Sequence, residues 1–221
     1  MSHPQNPPHF QVAIFGSSHS AKYPHHLPHS SLPDHLKAVL DQMPGKYLSL
    51  NPLLNNSVRG QCLTDNVRDQ LIFLMNRYEV SYQCDHAGNQ RTTVLLIFLG
   101  GNNLRQGESP SSMVERFRPI LDFAVSCSNI RLVVSSLIPE RKRRFFKQFQ
   151  EANNLLHALV KEYSQTPNNR KVFFFPVHRL LRAPGSQQFD PTLWRRDRIH
   201  LNALGQQRVA SGLRPLLQNM Q

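Results

Sequence analysis

Cysteine is scarce in this sequence: Cys62, Cys84 and Cys127 are the only three in 221 residues. An odd number without metal-ligand spacing argues against a disulfide scaffold or a zinc cluster. It fits free thiols in a reducing compartment, the cytoplasm or nucleus. Long apolar runs are missing as well. None approaches the roughly 18 uninterrupted apolar residues that a membrane-spanning helix requires. The opening residues 1–9 are rich in Pro and His where a secretory signal would be apolar, so they read as a disordered arm. Acidic residues are few, 14 against 26 Lys and Arg, and the shortage is concentrated in one half. Up to Asn129, ten basic side chains are matched by nine acidic ones; from Ile130 onward sixteen face five, a net of +11. Such a basic half attracts polyanions, nucleic acid or an anionic membrane surface, without sequence specificity.

What is present is a regular alternation. Apolar runs rich in strand formers occur at Phe10–Phe15, Lys46–Leu50, Thr93–Leu99, Ile130–Leu137 and Lys171–Pro176. Helical periodicity lies between and after them. It runs around Leu36–Met43, over Asp65–Tyr78 with Asp65 as a candidate N-cap, and over Ser112–Ser126 with a break near Pro119. It returns over Phe145–Tyr163 and Ala203–Leu217. Strands alternating with helices indicate βαβ units, so one α/β domain is expected over residues 10–221. Its form is a three-layer α/β/α sandwich around a five-stranded parallel sheet. In such sheets function gathers beyond the carboxyl ends of the strands.

Four segments carry the candidate chemistry. Gly16-Ser17-Ser18-His19 follows the first strand, and Asn55-Asn56-Ser57-Val58-Arg59-Gly60 follows the second. Gly100-Gly101-Asn102-Asn103 follows the third, and Asp197-Arg198-Ile199-His200 lies near the C-terminus. In content, order and spacing they resemble the four blocks of the SGNH (GDSL-like) hydrolase superfamily, centred on Ser, Gly, Asn and His. The resemblance implies a flavodoxin-like SGNH fold and a serine ester hydrolase, with no cofactor and no metal. It implies Ser18 as nucleophile, His200 as the base that takes its proton, and Asp197 as the group that holds the imidazole. The oxyanion hole would be made by the N–H groups of Ser18 and Gly60 and the Asn102 side chain. Ser17 is the competing nucleophile, but the Gly-Asp-Ser pattern places it third, at Ser18. Two positions depart from the family: Ser17 stands where it has Asp before the nucleophile, and Asn103 where it has Asp after the oxyanion Asn. The His25-His26 pair has no ordered Cys or carboxylate spacing around it, so no metal is expected there.

The basic residues cluster at Arg141-Lys142-Arg143-Arg144 and at Arg195, Arg196 and Arg198 around Asp197. On the expected fold they border the active-site rim. They fit an ester substrate with an anionic lipid head, or RNA or DNA held through its phosphates. Two subgroups of the superfamily are pertinent: basic esterase domains in the first open reading frame of LINE-type retrotransposons, and an insect domain that has lost the triad and binds RNA. With Ser, Asp and His in place, this sequence is more similar to the former.

Overall fold

The computed structural model describes residues 10–17, 31–43, 55–58, 60–77, 92–139, 145–165 and 171–220. Three seven- or six-residue strands, β1 (Phe10–Gly16), β3 (Thr92–Phe98) and β4 (Ile130–Ser135), form the centre of a sheet. Two short strands, β2 (Asn55–Ser57) and β5 (Val172–Phe175), flank them. The order is β2-β1-β3-β4-β5 with every pair parallel.

Alternate residues of each central strand point to opposite faces, and both faces are covered. Ala13, Phe15, Leu95, Ile97, Leu132 and Val134 belong to one buried cluster. Val12, Ile14, Val94, Leu96, Phe98 and Val133 belong to the other. The first cluster is completed by α2 (Val67–Arg77), α4 (Pro110–Glu115), α5 (Arg118–Ser126) and α6 (Phe146–Ser164). The second is completed by α1 (Leu32–Asp41), α7 (Val177–Leu180) and α8 (Ala203–Gln218). A five-residue helix, α3 (Gly101–Arg105), follows β3 directly. The three-layer arrangement expected from the sequence is thus present. No described helix is long and apolar enough to cross a membrane.

Several elements differ from expectation. The second strand was expected at Lys46–Leu50, which lies outside the described residues. β2 falls at Asn55–Ser57, in a stretch read as the loop beyond that strand. Asn is a poor strand former, but an edge strand here needs only backbone pairing, and Ile14 to Gly16 supply it. The expected break near Pro119 separates α4 from α5, with Pro119 in the first turn of α5, where a missing N–H costs nothing. Asp65 does not cap α2. Its carboxylate instead takes an ion pair from Arg116.

Helix α8 starts where a loop crosses it closely. The Asn202 side chain caps it by accepting from the Gly205 N–H at 3.0 Å, and a Cβ on Gly205 would lie 2.4 Å from the Leu193 carbonyl oxygen. Gly205→Ala should therefore destabilise the protein by about 1–3 kcal/mol. A thermal melt is the check; an unchanged Tm would contradict this packing.

Candidate active site

The strand order reverses between β1 and β3: one connection leaves toward β2, the next toward β4 and β5. Loops diverge at such a point and leave a crevice. Three segments border it. Ser17 donates its N–H to the Phe98 carbonyl at 3.1 Å, and Val58 donates to the Gly16 carbonyl at 3.0 Å. Gly101 opens α3 at the end of β3. A small cavity of about 20 Å³ is lined by Ser17, Gly101, Arg105 and Ser136 among others. Ser18 and His19 lie outside the described residues, as do His25 and His26. Ser17, the competing nucleophile, is buried at 6% exposure, which leaves little access for an ester.

Asn102 is buried and its amide is fixed from both ends. Nδ2 donates to the Gln61 carbonyl at 2.9 Å, and Oδ1 accepts from Arg105 at 2.6 Å. An amide carries two N–H bonds, and the second has no acceptor among the described residues. Gly60, one residue before Gln61, has φ +74°, with nothing within 4 Å of where a Cβ would stand. That backbone conformation suits glycine, and the open space before it lets another molecule approach.

The segment carrying Gly60 is clamped by Asn103, whose role went unrecognised in the sequence. Its Oδ1 accepts from the Leu63 N–H at 2.8 Å, and its Nδ2 donates to the Leu63 carbonyl at 2.9 Å and to Glu108 at 2.7 Å. A carboxylate could accept from Leu63 but could donate to neither partner, so Asn where the resemblance implies Asp has a structural reason here. Burial raises the Glu108 carboxyl pKa, but bonds from Arg116, Asn103 and Ser112 outweigh it and hold the pKa below its usual value. Arg116 links Glu108 to Asp65 on the same loop.

The fourth segment is a tight loop between Trp194 and Leu201, which pair as an antiparallel bridge. Both are buried in the same cluster as Ile14, Phe98 and Ile138, so the loop is seated on the α1/α8 side of the sheet. Asp197 Oδ1 accepts from the N–H groups of Ile199 and His200 at 2.8 and 2.9 Å, and Oδ2 lies 2.7 Å from His200 Nδ1. Partial burial pushes the Asp197 pKa up, but the bonds from His200 and Ile199 win and bring it down to about 2. The group is therefore ionised throughout the working pH range. Arg198 adopts φ +59°, an uncommon backbone conformation for a residue with a side chain, which bends the chain between the paired residues. Arg195 is tied to the Leu201 carbonyl at 3.2 Å, whereas Arg196 and Arg198 are exposed. Arg141 to Arg144 lie outside the described residues. No metal-binding group of three or more ligands occurs among the described residues.

The sequence matches the model of the GDSL-like Lipase/Acylhydrolase family over residues 14–208. The chain belongs to this family. Membership supports ester hydrolysis in general. Solved structures with the same fold include the carbohydrate acetylesterase Est24 of Sinorhizobium meliloti. It is 13% identical with a TM-score of 0.62, covering 96% of this chain and 99% of that one. TesA is 14% identical with a TM-score of 0.67 and covers 96% and 99%. A family 3 carbohydrate esterase of Clostridium thermocellum is 15% identical with a TM-score of 0.67 and covers 95% and 98%. No curated protein matches the chain in sequence.

In this GDSL-like chain the sequence also left unseen the partner of Ser136. Its hydroxyl accepts from the His178 backbone N–H at 3.0 Å and lies 2.9 Å from His178 Nδ1. These residues stand 42 apart, and no local pattern joins them. For the clamp, Asn103→Asp should destabilise the fold by about 1–3 kcal/mol, the loss for leaving a buried carbonyl without its donor. A neutral carboxyl can donate again, so the loss should be smallest in acid and grow as pH rises. Urea unfolding at several pH values checks this; a pH-independent loss would contradict it.

Proposed function

We propose that this chain is a metal-independent serine esterase that works through a covalent acyl-Ser18 intermediate. The observation that carries the reading is the His200–Asp197 pair. An imidazole whose Nδ1 is engaged by a carboxylate ionised at neutral pH is held in the tautomer that accepts a proton at Nε2. Ser18 Oγ attacks the ester carbonyl carbon while its proton passes to His200. The charge that develops on the carbonyl oxygen is met by the N–H groups of Ser18 and Gly60 and by Asn102 Nδ2. Collapse of this adduct breaks the bond to the alkoxy oxygen, which leaves as the alcohol with the proton from His200. Water then attacks acyl-Ser18, again giving a proton to His200, and the carboxylic acid departs as Ser18 recovers its hydrogen. The burial of Ser17 supports Ser18 over its neighbour. Acetyl or other acyl esters are the proposed substrates, and the carbohydrate acetylesterase Est24 among the similar structures favours a small acyl group.

A second reading rests on the net +11 beyond Ile130 and on exposed Arg196 and Arg198 beside Asp197. In it the basic half, with Arg141 to Arg144, grips RNA or an anionic membrane surface, alongside or in place of catalysis. RNA affinity should then fall steeply with added salt and weaken when Arg141 to Arg144 are neutralised. Absence of binding at low salt removes this reading.

For the esterase, Ser18→Ala and His200→Ala should each lower kcat on short-chain aryl esters by roughly 10⁴–10⁶-fold, because the two act as one unit. Asp197→Asn should cost about 10⁴-fold through the wrong tautomer. A fluorophosphonate should label Ser18, as read by mass spectrometry. Full activity in Ser18→Ala, or labelling of another serine, overturns the assignment.

A further inference from the structure

A cavity of about 240 Å³ opens at the carboxyl ends of β4 and β5, on the far side of the segment that begins at Ser136. Ser136 to Ile138 line the small cavity beside Ser17, and Pro139 lines the large one. Its volume is slightly under the roughly 300 Å³ at which pockets for drug-sized ligands begin, so it fits a small molecule.

The lining is of one sign. Its charged residues are Arg179 and Arg182, the neutral His178 lies beside them, and no carboxylate lines it among the described residues. Arg179 is exposed, and its guanidinium has no ion pair or hydrogen bond among the described residues. Arg182 is paired with the neutral Gln187 amide, and its buried Nε–H finds no acceptor among the described residues. Burial first, and then Arg179, Arg182 and His157, bring the His178 pKa down to about 4. The same positive potential that repels a proton attracts an anion. Two aromatic rings also line it: Phe146 and Phe189 meet edge to face at 6.1 Å, and Phe146 is 40% exposed. Gln150 and Asn154 add neutral hydrogen-bonding groups.

We propose that this cavity binds a small ligand in which an oxyanion, phosphate or carboxylate, is joined to a flat ring, the oxyanion on Arg179 and Arg182 and the ring against Phe146 and Phe189. Neither Asp197 nor His200 lines this cavity, and binding needs no turnover, so this inference and the esterase assignment stand or fall independently.

Calorimetric titration of the intact chain with phenyl phosphate, phenylacetate and benzyl alcohol tests it. Both anions should bind, and the neutral alcohol at least about tenfold more weakly, the difference expected for a charge-assisted hydrogen bond. Preference for phenyl phosphate or for phenylacetate identifies the oxyanion. Arg179→Gln, a change on the surface that leaves the fold intact by circular dichroism, should weaken both anions by about tenfold. Phe146→Ala should weaken all three ligands. No anion binding, equal binding of the alcohol, or unchanged affinity in Arg179→Gln overturns the proposal. So does an equal loss in Arg214→Gln toward the far end of α8, which would trace the effect to net charge alone.

Discussion

The carboxylate of Asp197 gathers three donors from Ile199 and His200: two backbone N–H groups and one imidazole nitrogen. The chain turns sharply here through a residue at positive φ, which brings those donors within reach of one side chain. One side chain therefore shapes the turn, orients the ring of His200 and keeps its own charge in the face of partial burial. Any chemistry assigned to the imidazole rests on that arrangement, because the angle of the ring is set by its Nδ1 contact. Around the loop, Asn202 does the supporting work. Its Oδ1 caps α8, and its Nδ2 reaches the carbonyls of Thr192 and Trp194.

Two asparagines repeat one motif on either side of the sheet's switch point. Asn103 clasps both backbone groups of Leu63, and Asn153 clasps both of Leu137 at 2.7 and 3.1 Å. Each side chain is buried and pairs with a loop that leaves a strand end, as an added β partner would. The loops that border the crevice thus gain the bonding of regular structure without extending the sheet. Amides suit this task where carboxylates do not, since each must donate and accept at once.

The layers were legible because Val, Ile and Leu runs alternate with helical periodicity, and burial on both faces demands that pattern. β2 was not, since its pairing is made by backbone atoms of Asn55 to Ser57, and residue type carries little of that information. The Asp197–His200 pair could be read because its partners sit three residues apart and the loop supplies the geometry. Gly60 and Asn102 were singled out as members of ordered blocks, and the structure adds their local surroundings, which those blocks cannot express. Asn102 is held between Gln61 and Arg105, and the clamp on Leu63 spans 40 residues. The cavity at the ends of β4 and β5 was hidden for the same reason: its walls come from α6, α7 and the turn at Phe189, which meet only in three dimensions.

The sheet's margins carry a last consequence. β2 contributes three residues and β5 four, against seven in β1 and β3. Unmatched amide and carbonyl groups along an outer strand are templates on which a foreign chain can add and aggregates can grow, and the hazard scales with strand length. A border as brief as β5 offers an invading strand only one or two rungs, so the longer apolar strands beside it are shielded from intermolecular pairing on that side by the modest size of their neighbour.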